Sequence, residues 1–261
     1  MLRAFHPFDV PAEAQTLTLA PEESFHLAKV LRARADEPIR AFDGRGNAWD
    51  CRRIAGESNP RALVLRIVSR GQIAPPPCRL ALALALPKGS LADEIVRAAT
   101  EIGIAEFFPL LAARCETRPD AARAAHKRER WRAIAVEACK QCGNPFVPEI
   151  FPVAPVADFF GKIAVDAGTL KLTASLEAGA RSCREIEREL RAANAYSGAA
   201  FPRRILWLVG PEGDFTAGEY AAARAAGFVP ARLGELVLRV PTAALYALSV
   251  ADQMRLAFAK S

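Results

Sequence analysis

The pattern of apolar and polar positions changes character once along the chain. Before the run Ala74-Pro75-Pro76-Pro77, apolar positions come in short alternating stretches: Thr16-Leu17-Thr18-Leu19, residues 39–42 leading into the turn signal Asp43-Gly44, and residues 62–68. A period of two, interrupted by turn residues, predicts half-buried strands, and several in so short a span predict a small β-barrel. Over 22–32 the spacing is helical instead, with Phe25, Leu27, Val30 and Leu31 near one face and Lys29 and Arg32 on another. The prolines at 75–77 fit neither a helix nor a central strand. They predict a stiff extended linker between a domain over 1–73 and a second over 78–261.

Beyond the linker, strand and helix patterns alternate. The apolar run 80–86 ends at Pro87 and suits a strand covered on both faces. Ser90-Leu91-Ala92-Asp93 matches a helix-start box, after which Leu91, Ile95, Ala98, Ala99 and Ile102 recur at helical spacing. Strands are expected at 104–110, 171–176, 205–209 and 228–233, and helices at 120–142, 183–193 and 241–259; Thr216-Ala217-Gly218-Glu219 is a second capping box. This alternation predicts an α/β fold with a parallel sheet.

Composition narrows the class without naming a function. With 261 residues, 51% hydrophobic and 25% charged, the chain buries a real core, which excludes disorder, collagen and disulfide scaffolds. The formal charge of +6 favours polyanionic partners. It concentrates over 118–132, where Arg118, Arg123, Lys127, Arg128, Arg130 and Arg132 face only Asp120 and Glu129, a candidate phosphate track with Trp131 among its arginines. Six sparse cysteines suit a reducing compartment, and with no secretory signal pattern or long apolar run a cytoplasmic location is expected. Cys139 and Cys142 form a single CxxC with no second pair, and His6, His26 and His126 are scattered, so no metal is expected.

The sharpest local feature is Gly210-Pro211-Glu212-Gly213-Asp214-Phe215, between the strand at 205–209 and the box at Thr216. Open α/β sheets bind ligands beyond the carboxyl ends of their strands, and glycines there let a ligand approach the backbone. Leu233-Gly234 and 238–243 stand in the same relation to later elements, which suggests one shared pocket. The chain has no GxGxxG, and Lys88-Gly89-Ser90 lacks the upstream glycine of a phosphate loop, which argues against NAD and ATP.

GPEGDFT at 210–216, AGFVPARLG at 226–234 and LRVPTAALYALS at 238–249 resemble the carboxy-terminal signature of the 16S ribosomal RNA uracil-N3 methyltransferases of the SPOUT superfamily. KGSLADEIVRAATEIGI at 88–104, Arg114-Cys115, EACKQCGNPFVPEI at 137–150 and HLAKVLR at 26–32 are similar to other parts of that family, in the expected order. The resemblance implies a PUA-like β-barrel followed by an α/β domain with a carboxy-terminal trefoil knot. It further implies S-adenosylmethionine as cofactor, a homodimer, and action on 16S ribosomal RNA in the small ribosomal subunit. By matching motif, Leu176, Glu177, Leu208, Gly210, Pro211, Glu212, Gly213, Leu233, Gly234, Leu238, Arg239, Thr242 and Ala243 are the implied cofactor contacts. N3 of a uridine would attack the sulfonium methyl group, and Arg239 is the candidate for stabilising charge on the uracil.

On the RNA side the candidates are His26, Lys29, Arg32, Glu101, Arg114, Lys127, Arg128, Glu137, Gln141 and Asn144. Two positions depart from the family pattern: Pro241 stands where Glu is common, and Asn144 where Arg is frequent. Two other readings are a ribose 2′-hydroxyl methyltransferase of the same superfamily and a catalytically weak RNA-binding or assembly factor, which Pro241 favours. HLAKVLR and QCGNPFVPEI favour the uracil enzyme over the ribose one.

Overall fold

The computed structural model describes residues 1–54, 59–163, 168–192 and 202–258. The chain divides into two compact units, Met1–Pro75 with Val136–Val147, and Pro76–Ala135 with Pro148–Ser261.

In the first unit, strands β1 (Leu2–Phe5), β2 (Thr16–Thr18), β3 (Pro38–Phe42), β4 (Asn47–Arg53) and β5 (Val64–Gln72) form one sheet. Its order is β1-β3-β4-β5-β2, antiparallel except where β1 runs parallel to β3. Alternate residues Ile39, Ala41, Trp49, Cys51 and Leu65 enter a core shared with Leu17, Leu19 and Leu27. Strands β1 and β4 were not among the expected strands, although Trp49 and Cys51 alternate with Asp50 and Arg52 along β4. Across β3 and β4, Arg40 Nε donates to Asp50 at 2.7 Å, a pairing that only the sheet register makes visible.

The expected helix over 22–32 is a correction. Helix α1 (Pro21–Phe25) passes into a π-helical turn at His26–Val30, in which the Leu31 amide donates five residues back to the His26 carbonyl at 2.9 Å. The wider turn breaks the 3.6-residue spacing that would have aligned the apolar residues. Leu27 alone is buried, while Phe25, Val30 and Leu31 are exposed. Arg32 then takes a left-handed conformation (φ 51°).

Residues 136–147 join this unit through specific bonds. The Arg3 guanidinium donates to the carbonyls of Lys140 and Gln141 (2.8 and 3.0 Å), and buried Lys140 pairs with Glu23 and Glu137, both at 2.8 Å.

Asp43 is the buried anchor of the β3–β4 turn. Its fully covered carboxylate accepts the Arg45 and Asn47 amides, the Arg45 guanidinium and the Asn47 side-chain amide. Burial alone would raise its pKa, but those bonds outweigh it and hold the value below the ordinary one. A depressed folded-state pKa stabilises above the unfolded value and is lost as pH falls through the folded one. Asp43→Ala is therefore expected to cost about 1.5–3 kcal/mol at neutral pH, the range for hydrogen bonds to a charged group. The penalty should shrink under acid, as denaturant unfolding followed at neutral and strongly acidic pH will report.

The second unit is α/β. Its elements in chain order are β6 (Arg79–Ala85), α2 (Leu91–Ile102), β7 (Ile104–Leu111), α3 (Ala121–Cys142), β8 (Glu149–Ile150), β9 (Ala154–Pro155) and α4 (Val156–Ile163). There follow β10 (Thr169–Ala174), β11 (Arg181–Ser182), α5 (Cys183–Ala192), β12 (Arg204–Val209), α6 (Ala217–Ala225), β13 (Val229–Arg232) and α7 (Val240–Phe258). The expected helix ends at 193 and 259 lie outside the described residues. The strands are parallel in the order β11-β13-β10-β12-β6-β7-β8, with β9 also on β7. Central β6 and β12 are buried nearly throughout, which explains their unbroken apolar sequence. Helix α2 packs on α7, and α7 on β6 and β12.

The Ser90 box is a further correction, since Ser90 makes no side-chain capping bond. The Asp93 carboxylate is drawn away by Arg130 Nε (2.8 Å) and Trp131 Nε1 (2.9 Å). At Thr216 the reciprocal box forms as expected.

Candidate functional site

Three loops that leave carboxyl ends of parallel strands converge on one cavity of about 730 Å³, within the size range of small-molecule sites. They are 174–176 at the end of β10, 209–214 after β12 and 233–239 after β13; Pro241, Thr242 and Ala243 of α7 and Leu91 and Glu94 of α2 complete it. A Cβ on Gly210 would come within 3.2 Å of Asp214 Oδ1 and 3.3 Å of the Phe215 ring, so any larger residue there would press on both. Asp214 adopts a left-handed conformation (φ 61°), and its Oδ1 accepts the Phe215 amide at 2.8 Å and the Tyr220 hydroxyl at 2.7 Å. Burial, reinforced by the Asp214 carboxylate, pushes the Tyr220 phenol well above its ordinary pKa, so it stays a neutral donor.

Two glutamates brace the same loop. Glu212 accepts the Lys88 amide at 3.0 Å, and Glu219 accepts the Ala113 amide at 2.7 Å while closing the box with Thr216. Thr216→Ala removes one arm of that box and is expected to cost about 1 kcal/mol. A thermal melt with and without cofactor will show whether the loss is purely one of stability.

Of the residues singled out from sequence, Leu176, Gly210, Pro211, Glu212, Leu233, Gly234, Leu238, Arg239, Thr242 and Ala243 all line this cavity. Three do not. Leu208 is fully buried within β12. Glu177 binds Arg224 Nη1 through both oxygens (3.0 and 2.8 Å) and accepts a bond from Ser175. Gly213 turns its carbonyl to Arg114 Nη1 at 2.9 Å. Sequence reasoning missed Glu94, Ser175 and Tyr220 as lining residues, and held Asp214 within the ligand loop without naming it a cofactor contact. The capping box put Tyr220 on the first turn of a helix beside the loop, a signal that was available; nothing in sequence pointed Glu94 at the cavity.

The RNA-side candidates divide between the units. In the first, Lys29 and Arg32 are exposed on and after the π-helical turn, with His26 half-buried at its start. Glu137 pairs with Lys140, Gln141 offers its carbonyl to Arg3, and Asn144 Oδ1 accepts the Phe146 amide. In the second, Arg114 holds the Gly213 loop, Arg128 donates to the Ile150 carbonyl, and the Lys127 ammonium lies 5.8 Å from the Trp131 ring centroid. Glu101 is exposed near the end of α2.

The phosphate-track reading of 118–132 needs correcting at Trp131, which is fully buried rather than presented for stacking. Arg118 and Arg130 are also tied to protein groups, the carbonyls of Ala112 and Ala113 and the carboxylate of Asp93. Cys139 is buried, its thiol pushed up to about 12 by burial, while Cys142 is exposed. Among the described residues, no helix is long and apolar enough to cross a membrane, and no group of His, Cys, Asp and Glu is placed to hold a metal ion.

Comparison with known proteins bears on both units. An RNA methyltransferase domain model matches residues 74–252, and an RNA methyltransferase PUA domain model matches 19–67. The chain belongs to the RNA methyltransferase family. Among curated relatives, Ribosomal RNA small subunit methyltransferase E of Mycobacterium tuberculosis is 33% identical over 94% of this chain and 88% of its own length. The protein of the same name from Synechocystis is 32% identical over 90% of this chain and 72% of its own.

Two solved structures resemble this RNA methyltransferase over 97% of each chain. One is a methyltransferase from Legionella pneumophila in complex with bound SAM (TM-score 0.82, 28% identity). The other is Ribosomal RNA small subunit methyltransferase E from Neisseria gonorrhoeae bound to S-adenosyl methionine (TM-score 0.80, 26% identity). The RNA methyltransferase thus pairs a PUA-like amino-terminal part with an α/β methyltransferase domain, and its cavity lies in the latter.

Proposed function

We propose that this chain transfers a methyl group from S-adenosylmethionine to N3 of a uridine in 16S ribosomal RNA of the small ribosomal subunit, in the cytoplasm. The observation that carries the reading is the convergence of 174–176, 209–214 and 233–243 on one ligand-sized cavity, in a chain whose relatives are small-subunit ribosomal RNA methyltransferases. The lining suits the cofactor. Leu176, Val209, Leu233 and Leu238 offer apolar walls to an adenine ring, and Gly210 and Gly234 open backbone groups to it. Glu212 and Asp214 bring negative charge to a cationic ligand. When bound, the cofactor supplies an electrophilic methyl group.

The chain's own part is to align the reactants and manage charge. Arg239, the one cation lining the cavity among the described residues, stabilises negative charge on the uracil. Lys29 and Arg32, with His26, and the exposed cations of α3 contribute phosphate contacts. The domain boundary falls in the extended segment 74–77, and the loops around the cavity belong to a trefoil knot, a rare departure from unknotted topology. The functional unit is a homodimer: Leu236 and Val237, at the cavity rim, are 76% and 83% exposed, and Tyr246 of α7 is exposed as well.

One observation favours a second reading. Pro241 lines the cavity where the family pattern carries Glu, which suits a chain that binds RNA and cofactor but catalyses weakly.

Titration calorimetry with S-adenosylmethionine tests the cofactor site, and light scattering the assembly. Saturable binding of one cofactor per chain is expected, by a particle of twice the 28.2 kDa chain mass. Lack of binding, or a monomer that binds fully, would overturn the corresponding part.

A further inference from the structure

The three carboxylates that line the cavity among the described residues differ in what holds them. Glu212 accepts the Lys88 amide, and Asp214 accepts the Phe215 amide and the Tyr220 hydroxyl. Glu94, in the first turn of α2, makes no hydrogen bond or ion pair among the described residues and is exposed to the cavity. Its neighbour Asp93 is fully engaged by Arg130 and Trp131. Helix α2 packs on α7, whose first turn contributes Pro241 and Thr242 to the same cavity and contains no acidic residue.

The reaction needs such a group. An imide nitrogen that keeps its proton is a poor nucleophile, and Arg239 stabilises an anion without removing a proton. We propose that Glu94 is the proton acceptor for methylation of uracil N3, an inference that rests on the activity proposed above. The Glu94 carboxylate takes the N3 proton, and the N3 electron pair forms the new nitrogen–carbon bond. The methyl–sulfur bond breaks with its electrons left on sulfur, giving a neutral thioether, and the Glu94 proton then passes to solvent. The other charged groups leave this role to Glu94. Arg239 is cationic, and on the elements packed against α2, Asp252 and Arg255 of α7 pair with each other, Arg130 of α3 pairs with Asp93, and Glu106 of β7 pairs with Arg204.

The test compares wild type, Glu94→Gln and Glu94→Asp in single-turnover methyl transfer from S-adenosylmethionine to unmodified small subunits, from mildly acidic to alkaline pH. Cofactor affinity is measured separately by calorimetry. Glu94→Gln is expected to slow the step by roughly 10²–10⁴-fold at neutral pH, the usual yield of a general base. Its rate should climb with pH as hydroxide takes over, its cofactor affinity should be unchanged, and Glu94→Asp should recover part of the rate. A Glu94→Gln rate equal to wild type overturns the assignment. So does a loss of rate that tracks a loss of cofactor affinity and leaves the pH profile unmoved, which would make Glu94 a cofactor contact. If wild type itself transfers no methyl group, the activity fails and the assignment fails with it.

Discussion

Arg239→Ala is expected to lower methyl transfer by roughly 10²–10³-fold, the range seen when one preorganised stabiliser of transition-state charge is removed. The cofactor's dissociation constant should move little. Arg239 is exposed at the cavity, just before α7, where its backbone carbonyl accepts the Ala243 amide and fixes the turn whatever side chain the position carries. No other Lys or Arg lines the cavity among the described residues, so no neighbour substitutes for the lost charge. Arg239→Lys keeps the charge but not the planar fork and should fall between the two. Single-turnover rates at saturating RNA, beside cofactor titrations, check this. An Arg239→Ala rate within a few-fold of wild type would remove Arg239 from the reaction.

Trp131→Ala should be the most destabilising single change considered. The ring is fully buried, packs edge-on against Phe107 at 5.7 Å between centroids, and donates Nε1 to Asp93 Oδ1 at 2.9 Å. Removing a buried aromatic of this size costs about 3–5 kcal/mol through lost transfer energy and the cavity left behind. In a domain of this length that lowers the melting temperature by on the order of 10 °C. Below its melting point the variant should bind RNA as wild type does, because the ring presents no face to solvent. Normal stability with weakened RNA binding would restore Trp131 to the candidate phosphate track.

The contrast between these residues shows what the sequence made legible. Arg239 was singled out through the resemblance of the contiguous motif 238–249 to a known family, and it lines the cavity. The parallel sheet was legible from local patterns alone: β6 and β12 are continuous apolar runs and Thr216 closes a box within one turn. Trp131 was misread because its partner, Asp93, lies 38 residues away and its burial is a tertiary fact. Ser90 failed as a cap because its backbone is not extended (φ −103°, ψ 8°) and the Asp93 amide donates to its carbonyl at 2.9 Å, while the Asp93 carboxylate is held by Arg130 and Trp131. Strand β4 hid its Arg40–Asp50 pairing in the register of a neighbouring strand, and the turn at His26–Val30 erased a helical stripe by the insertion of a wider turn. Glu94 is the sharpest case: in sequence it is one charge on an amphipathic helix, and only the packing of α2 on α7 turns it toward the cavity.

Methyl transfer itself is the decisive measurement. Labelled S-adenosylmethionine is offered with the protein to small ribosomal subunits from a strain lacking the modification, and the RNA is digested to nucleosides and resolved by mass spectrometry. The expected product is 3-methyluridine at a single position, with label incorporated in proportion to subunits. Unlabelled RNA from a protein that demonstrably binds both cofactor and subunits would contradict the proposed activity, and a 2′-O-methylated nucleoside would contradict the proposed acceptor atom.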